Sequence, residues 1–246
     1  MSYILKPMYC GLVFCLLFSC CLLSSAAWAE NQGVEPKADA LFKQMSEYLA
    51  GLRQFEVTSQ SSIETMLDSG QKIMLHYSSA ISVKRPDKLF STRKGSLAEQ
   101  SFYYDGKSFT SFDQLKNQYA VVPAPATLSA ALDTALEQFE LIAPGADLLY
   151  PNSYDRLSKG LIDGFYVGTS FINGIKCHHL AFRNGEVDWQ IWVQAGDTPL
   201  PVKYVITSRW ITGAPQFGVI MKWNVKADFT DDIFRFVPPA TATKLQ

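Results

Sequence analysis

Phe55-Glu56-Val57-Thr58-Ser59-Gln60-Ser61-Ser62-Ile63 decides the fold, together with Ile73-Met74-Leu75-His76-Tyr77-Ser78-Ser79-Ala80-Ile81-Ser82-Val83 across the turn Asp68-Ser69-Gly70-Gln71. In the first run Phe55, Val57, Ser59, Ser61 and Ile63 share one face, while Glu56, Thr58, Gln60 and Ser62 share the other. Ile73, Leu75, Tyr77, Ser79, Ile81 and Val83 resume the alternation after the turn. A period of two means strand, and each strand runs for about a dozen residues, well above the usual five or six. Long antiparallel strands joined by a tight turn imply a strongly curved sheet or an open barrel.

Working outward, a helix precedes this hairpin. Pro36 suits a first helical turn, Ala38, Leu41, Phe42, Met45, Leu49 and Leu52 recur at helical spacing, and Gly51 lies near the end. After the hairpin, residues 88–93, 101–104, 108–112 and 118–122 read as a meander, with Asp105-Gly106 as a hairpin turn. A second helix is expected over 127–142. Thr127 is its N-cap, Leu128, Ala131, Leu132, Ala135, Leu136, Phe139 and Ile142 lie on its apolar positions, and Pro144-Gly145 stops it. A short third helix fits 154–159. Strands then return at 164–171, 175–183, 187–194, 201–210 and 217–227, with Asn173-Gly174 and Asn184-Gly185 as turns. The expectation is an α+β chain whose curved antiparallel sheet, about eleven strands in all, forms an open, incomplete β-barrel covered by helices.

The N-terminus carries an address. Lys6 is a positive flank, Met8 to Leu23 is almost wholly apolar, and Ala27-Trp28-Ala29 gives the small-x-small pattern that signal peptidase cuts after. Residues 1–29 therefore read as a cleaved signal peptide and 30–246 as one periplasmic domain, with no integral span after cleavage. Four of the five cysteines fall within that peptide, which leaves Cys177 without an internal disulfide partner. Leu17-Phe18-Ser19-Cys20 loosely resembles a lipobox, an alternative that would lipidate Cys20 or Cys21; Phe18 is bulky for that motif.

Lys and Arg number 22 against 23 Asp and Glu, and no basic stripe interrupts the chain. That balance argues against a nucleic-acid partner. No repeat is visible, and Val122-Pro123-Ala124-Pro125-Ala126 reads as a short stiff connector. The expected state is a monomer.

The closing strands each have one apolar face rich in aromatics. Val187, Trp189, Ile191 and Val193 alternate with polar residues, as do Val202, Tyr204 and Ile206, and then Val219, Met221, Trp223 and Val225. Such faces ordinarily interdigitate into a filled core. A sheet of this size curled around helices also has room for an apolar cavity. The candidate cavity residues are Trp189, Ile191, Tyr204, Ile206, Met221 and Trp223 on the sheet, with Leu132, Leu136 and Phe139 on a helical lid. Burying an acyl chain there would gain about 0.8 kcal/mol per methylene.

Cys177-His178-His179-Leu180-Ala181-Phe182-Arg183, Asp188-Trp189-Gln190-Ile191-Trp192-Val193 and Gly196-Asp197-Thr198-Pro199-Leu200-Pro201-Val202-Lys203-Tyr204-Val205-Ile206-Thr207 together resemble a bacterial family of predicted periplasmic proteins of unknown function. The resemblance covers nearly the whole mature chain. The order of helix, long hairpin, meander, central helix and closing hairpins is similar to the LolA/LolB/RseB fold. That likeness implies an incomplete β-barrel under a helical lid, with a cavity for lipoprotein acyl chains or other hydrophobic groups. Fold does not fix function.

Catalytic motifs are missing. His178 and His179 are adjacent, so a strand points them to opposite faces, and His76 is the sole other histidine; no metal site is expected. Asp163 and Asp231-Asp232 lack the spaced oxygen ligands of a calcium loop. There is no nucleophile elbow, phosphate loop or dinucleotide fingerprint, and no cofactor is expected. The leading expectation is a non-enzymatic periplasmic binding protein for a hydrophobic ligand (a lipid, an acyl chain or a lipoprotein), acting as carrier or sensor. Two alternatives stand beside it: a periplasmic hydrolase using Cys177, His179 and Asp188, and a protein-binding module with a filled core.

Overall fold

The computed structural model describes residues 33–138 and 144–245. Its first long elements are strands β2 (Gln54–Met66) and β3 (Lys72–Lys84), thirteen residues each and paired in unbroken register from Gln54 opposite Lys84 to Met66 opposite Lys72. Before them come a two-residue strand β1 (Gly33–Val34) and helix α1 (Pro36–Gly51). Ala38, Phe42, Met45 and Leu49 of α1 are buried, which is the stripe its 3.6-residue period predicts. The meander continues with β4 (Lys88–Gly95), β5 (Glu99–Tyr104), β6 (Ser108–Asp113) and β7 (Gln118–Pro123). Helix α2 follows at Leu128–Gln138; the expected continuation through Phe139 to Ile142 lies outside the described residues.

A 3₁₀ turn (Ala146–Leu149) and helix α3 (Ser153–Ser158) lead into a second meander: β8 (Leu161–Ile172), β9 (Ile175–Asn184), β10 (Val187–Gln194), β11 (Pro201–Ser208) and β12 (Gln216–Asn224). Another 3₁₀ turn (Asp231–Phe234) precedes the short β13 (Thr243–Lys244). The two meanders meet where β12 pairs with β2, Phe217 opposite Ile63 and Trp223 opposite Val57. The result is a single sheet ordered β1-β8-β9-β10-β11-β12-β2-β3-β4-β5-β6-β7-β13. Among the described residues its outer strands β1 and β13 do not pair with each other, so the barrel is open.

Strands β2 to β12 are those the alternation predicts. The two additional strands are dipeptides too short to show a period, each laid parallel on an edge. Register shifts between Leu161 and Asp163, between Tyr166 and Gly168, and between Trp192 and Val193 bend the second meander as bulges do. Helix α1 lies on its inner face. Behind the first meander, Phe236 of the C-terminal tail packs on Tyr103, Phe112 and Tyr119 at ring-centroid distances of 5.2, 5.4 and 5.1 Å. Among the described residues no helix is long and apolar enough to cross a membrane.

Candidate ligand-binding cavity

Register places the side chains of the first meander in rungs across the concave face. The deepest rung runs Phe55, Val83, Leu89, Tyr104 and Phe109, all buried. The next holds Trp223, Val57, Ile81, Ser91 and Phe102. The third holds Met221, Ser59, Ser79 and Arg93, and the fourth Val219, Ser61, Tyr77 and Gly95. Serine is absent from the first rung, occurs once on the second, twice on the third and once on the fourth, and space opens over these serines.

A partly open cavity of about 200 Å³ lies between these rungs and α2. It exceeds the roughly 150 Å³ of an engineered apolar cavity that takes up benzene. Val57, Ile81, Leu89, Phe102, Phe109 and Met221 wall it from the sheet, Leu132, Ala135 and Leu136 from α2, and Leu148 and Leu149 from the adjoining 3₁₀ turn. Ser59, Ser61, Ser79 and Ser91 make the floor, and their hydroxyls have no hydrogen-bond partner among the described residues. Arg93 is the charged residue on the described wall. Its guanidinium carbon lies 3.9 Å from the centroid of the Tyr77 ring.

Polar contacts at its margins hold α2 in place. The Leu128 amide donates to the Pro86 carbonyl at 2.9 Å, and the Ala130 amide to Thr127 Oγ1 at 3.4 Å. The Tyr104 hydroxyl donates to the Pro125 carbonyl at 2.6 Å, which pins the proline-rich connector to the sheet. Burial, with the Asp87 and Asp105 charges near it, pushes that phenol up to about 12. On the helix itself, the Asp133 carboxylate accepts from the Tyr150 hydroxyl at 2.8 Å and from Arg156 Nη2 at 3.2 Å. The Arg156 guanidinium stacks 3.8 Å above the Tyr150 ring. Burial and the bonded Asp133 carboxylate both raise the Tyr150 phenol, so it stays a donor across the physiological range.

The residues singled out in the sequence divide between two places. Met221, Trp223, Leu132 and Leu136 line the cavity. Trp189, Ile191 and Tyr204 are buried in the packing between α1 and β9–β11, and Ile206 rests against that packing. The Trp189 ring stacks on Phe182 at 4.3 Å, meets Phe42 of α1 at 5.4 Å and lies edge-on to Tyr204 at 5.8 Å. Phe139 lies outside the described residues. Sequence reasoning missed the serine floor and Arg93. The signal was legible: Ser59, Ser61 and Ser79 break a run of large apolar residues on one strand face, where aliphatic residues would fill a core.

The hydrolase candidates do not converge. Cys177 is fully buried, its thiol donates to the Ile175 carbonyl at 3.4 Å, and burial pushes that thiol up, away from the nucleophilic form. His179 bonds Gln190 Oε1 through Nε2 at 3.0 Å and stacks on Trp192 at 4.0 Å. Asp188 is held by Arg183 at 2.6 and 2.9 Å, and that bidentate pairing keeps its carboxyl below the usual carboxylate range. No group of three or more metal-ligating side chains occurs among the described residues.

Residues 38–246 match the model of a family described as predicted periplasmic proteins (DUF2092), and the chain belongs to that family. Among curated proteins, none matches the sequence. Among solved structures the fold is similar to LprF from Mycobacterium bovis, at 12% identity and a TM-score of 0.49 over 85% of this chain and 98% of that one. An uncharacterized conserved protein from Thermus thermophilus is similar at 11% identity and a TM-score of 0.46, covering 85% of this chain and 98% of its own. The LolA superfamily protein NE2245 from Nitrosomonas europaea follows at 10% identity and a TM-score of 0.37, over 81% and 97%.

Proposed function

We propose that this member of a periplasmic family is a non-enzymatic carrier or sensor, and that it holds the acyl chain of a lipid or lipoprotein in the cavity beneath α2. One observation carries the reading: a mostly apolar, partly open space of about 200 Å³ between the sheet and α2, walled by Val57, Ile81, Leu89, Phe102 and Leu149. Protein interiors do not ordinarily leave such a void. Each methylene transferred into it from water gains about 0.8 kcal/mol, so about ten methylenes match the roughly 8 kcal/mol of micromolar binding before the cost of association is subtracted. The partly open side leaves room for a polar head or a tethered polypeptide outside.

In this reading the working form is residues 30–246, freed of the signal peptide and monomeric. Intact mass of the secreted protein should begin at Glu30 with no lipid attached; a diacylglyceryl group on Cys20 or Cys21 would replace the soluble carrier with an anchored one. The decisive experiment is native mass spectrometry with lipid extraction on protein purified from its own cell envelope. An acyl compound that co-purifies, and whose removal shifts tryptophan emission, supports the carrier. A clean apo mass, together with fluorescence indifferent to added fatty acid, favours a protein-binding module instead.

A further inference from the structure

The cavity is not uniformly apolar, and the charged residue on its described wall is placed for a purpose. Arg93 stands on the rung of Ser59 and Ser79, two rungs from the buried Leu89 and Phe109. Among the described residues it forms no ion pair, unlike Arg156, Arg183 and Arg209, each of which meets a carboxylate. What lies against it is Tyr77, whose ring centroid is 3.9 Å from the guanidinium carbon. That ring in turn lies over Gly95, where any side chain would collide with it. No described residue takes a hydrogen bond or ion pair from the Arg93 side chain, so the N–H fork of this guanidinium is unengaged. A fork of this kind matches a carboxylate or a phosphate with two parallel hydrogen bonds.

We infer that the cavity selects an anionic amphiphile: the head pairs with Arg93 beside the Ser59 and Ser79 hydroxyls, and the alkyl chain runs from there toward Leu89, Phe102 and Leu149. The inference rests on the carrier reading and adds a head-group class to it. The distribution of polarity supports the orientation. The deep end of the cavity is aliphatic and aromatic, while the unpartnered hydroxyls gather on the rungs around Arg93. A neutral head at that position would forgo the two charge-assisted hydrogen bonds that an anionic head takes from the fork. Carboxylate and phosphate monoester heads share the required chemistry, so both belong to the expected class.

The test uses the delipidated mature protein and three probes of equal chain length: dodecanoate, dodecyl phosphate and dodecanol, each titrated by calorimetry and by tryptophan emission. Both anions should bind roughly tenfold or more tighter than the alcohol, as a charge-assisted pair would give. Arg93→Gln should erase that preference and leave dodecanol affinity within about twofold. Arg93→Lys, which keeps the charge and loses the fork, should retain part of it. Preference for only one anion assigns the head group, carboxylate or phosphate. If Arg93→Gln fails to fold, the wild-type protein still decides: added salt should weaken the anions and spare the alcohol. Three probes bound equally, or a preference that survives Arg93→Gln, overturns the inference and leaves the carrier standing. If none of the three binds, the carrier reading falls with it.

Discussion

The two meanders follow the same alternation and end in opposite states. On β9–β11 the inner positions are Leu180, Phe182, Trp189, Ile191 and Tyr204, and α1 inserts Phe42 among their rings. On β2–β4 the corresponding positions include Ser59, Ser61, Ser79 and Ser91, beneath an α2 that offers Leu132, Ala135 and Leu136. Pairing alone does not separate the two: β9 with β10 and β2 with β3 are antiparallel and in unbroken register over these residues, and the bulges of the second meander fall on its pairings of β8 with β9 and of β10 with β11. Side-chain volume does. One half is filled because its inner side chains are large enough to meet a helix, and the other stays open because four small ones are not. The cavity is written residue by residue onto a sheet that could have been filled.

Two tryptophans offer the strongest way to break that contrast. Trp189→Ala deletes a ring that is 2% exposed and wedged among Phe42, Phe182 and Tyr204, so it should cost about 3–5 kcal/mol in urea unfolding. Trp223 borders the cavity, is part-buried and donates to the Pro201 carbonyl at 2.7 Å. Trp223→Ala should cost roughly half as much or less and should weaken binding of an acyl probe. Similar stability losses at both sites, with binding unmoved, would show that the halves are not different in kind.

Filling is the converse. Ser79→Leu places an aliphatic side chain on the cavity floor beside Ser59. Stability should stay within about 1.5 kcal/mol of the parent, because the added methylenes enter free space rather than a packed core. Binding of dodecanol or dodecanoate should fall by roughly tenfold or more, as each lost methylene contact subtracts from the transfer free energy. Ser78→Leu, one residue away on the exposed outer face, is the control and should leave binding unchanged. A Ser79→Leu protein that binds as before would mean that ligands go elsewhere.

Much of this architecture is legible in the sequence. Period alone marked the strands from β2 to β12 and the stripe of α1, because a half-buried strand must alternate and a helix on a sheet must show a 3.6-residue stripe. The dipeptides β1 and β13 carry no period, and nothing in Gly33-Val34 or Thr243-Lys244 signals pairing. The site was harder to read for a different reason. Large aromatics such as Trp189 and Tyr204 draw attention to themselves, but bulk fills space, and a cavity is marked by what is small. Which of two apolar faces stays open depends on which helix covers it, and that is a long-range fact. Met221 and Trp223 reach the cavity because β12 closes against β2, a pairing between strands far apart in sequence.

A smaller effect tests whether α2 behaves as a lid. Asp133→Asn weakens the contacts to Tyr150 and Arg156 while keeping the side-chain shape. The pair with Arg156 is half exposed, so the loss of global stability should be on the order of 0.2–1 kcal/mol. The local consequence should be clearer than the global one. Amide exchange in α2 should quicken several-fold and acyl probes should dissociate faster, with α1 on the filled half unaffected. Equal acceleration in both helices would make Asp133 a general stabiliser and not a latch.

The smallest expected effect comes from pH, and it falls on the filled half. Burial, with the Lys203 charge beside it, holds the His179 imidazole below its usual 6.5, against the opposing hydrogen bond in which Gln190 Oε1 accepts from the ring. His178 is lowered in the same direction by burial and by Lys37 and Lys176. Below pH 6.5 the unfolded chain takes up protons that the folded rings resist, so stability is lost as pH falls from 6.5 toward the folded values. The cavity wall responds differently, because its described lining holds no histidine or carboxylate. Between about pH 7 and about pH 5 the melting temperature should decline while dodecanol affinity stays flat. His179→Phe keeps a ring stacked on Trp192 and removes the titration there, so the decline should shrink. If dodecanol affinity instead tracked the melting temperature through this range, the two halves would be one cooperative unit at the site, and volume alone would no longer account for the difference between them.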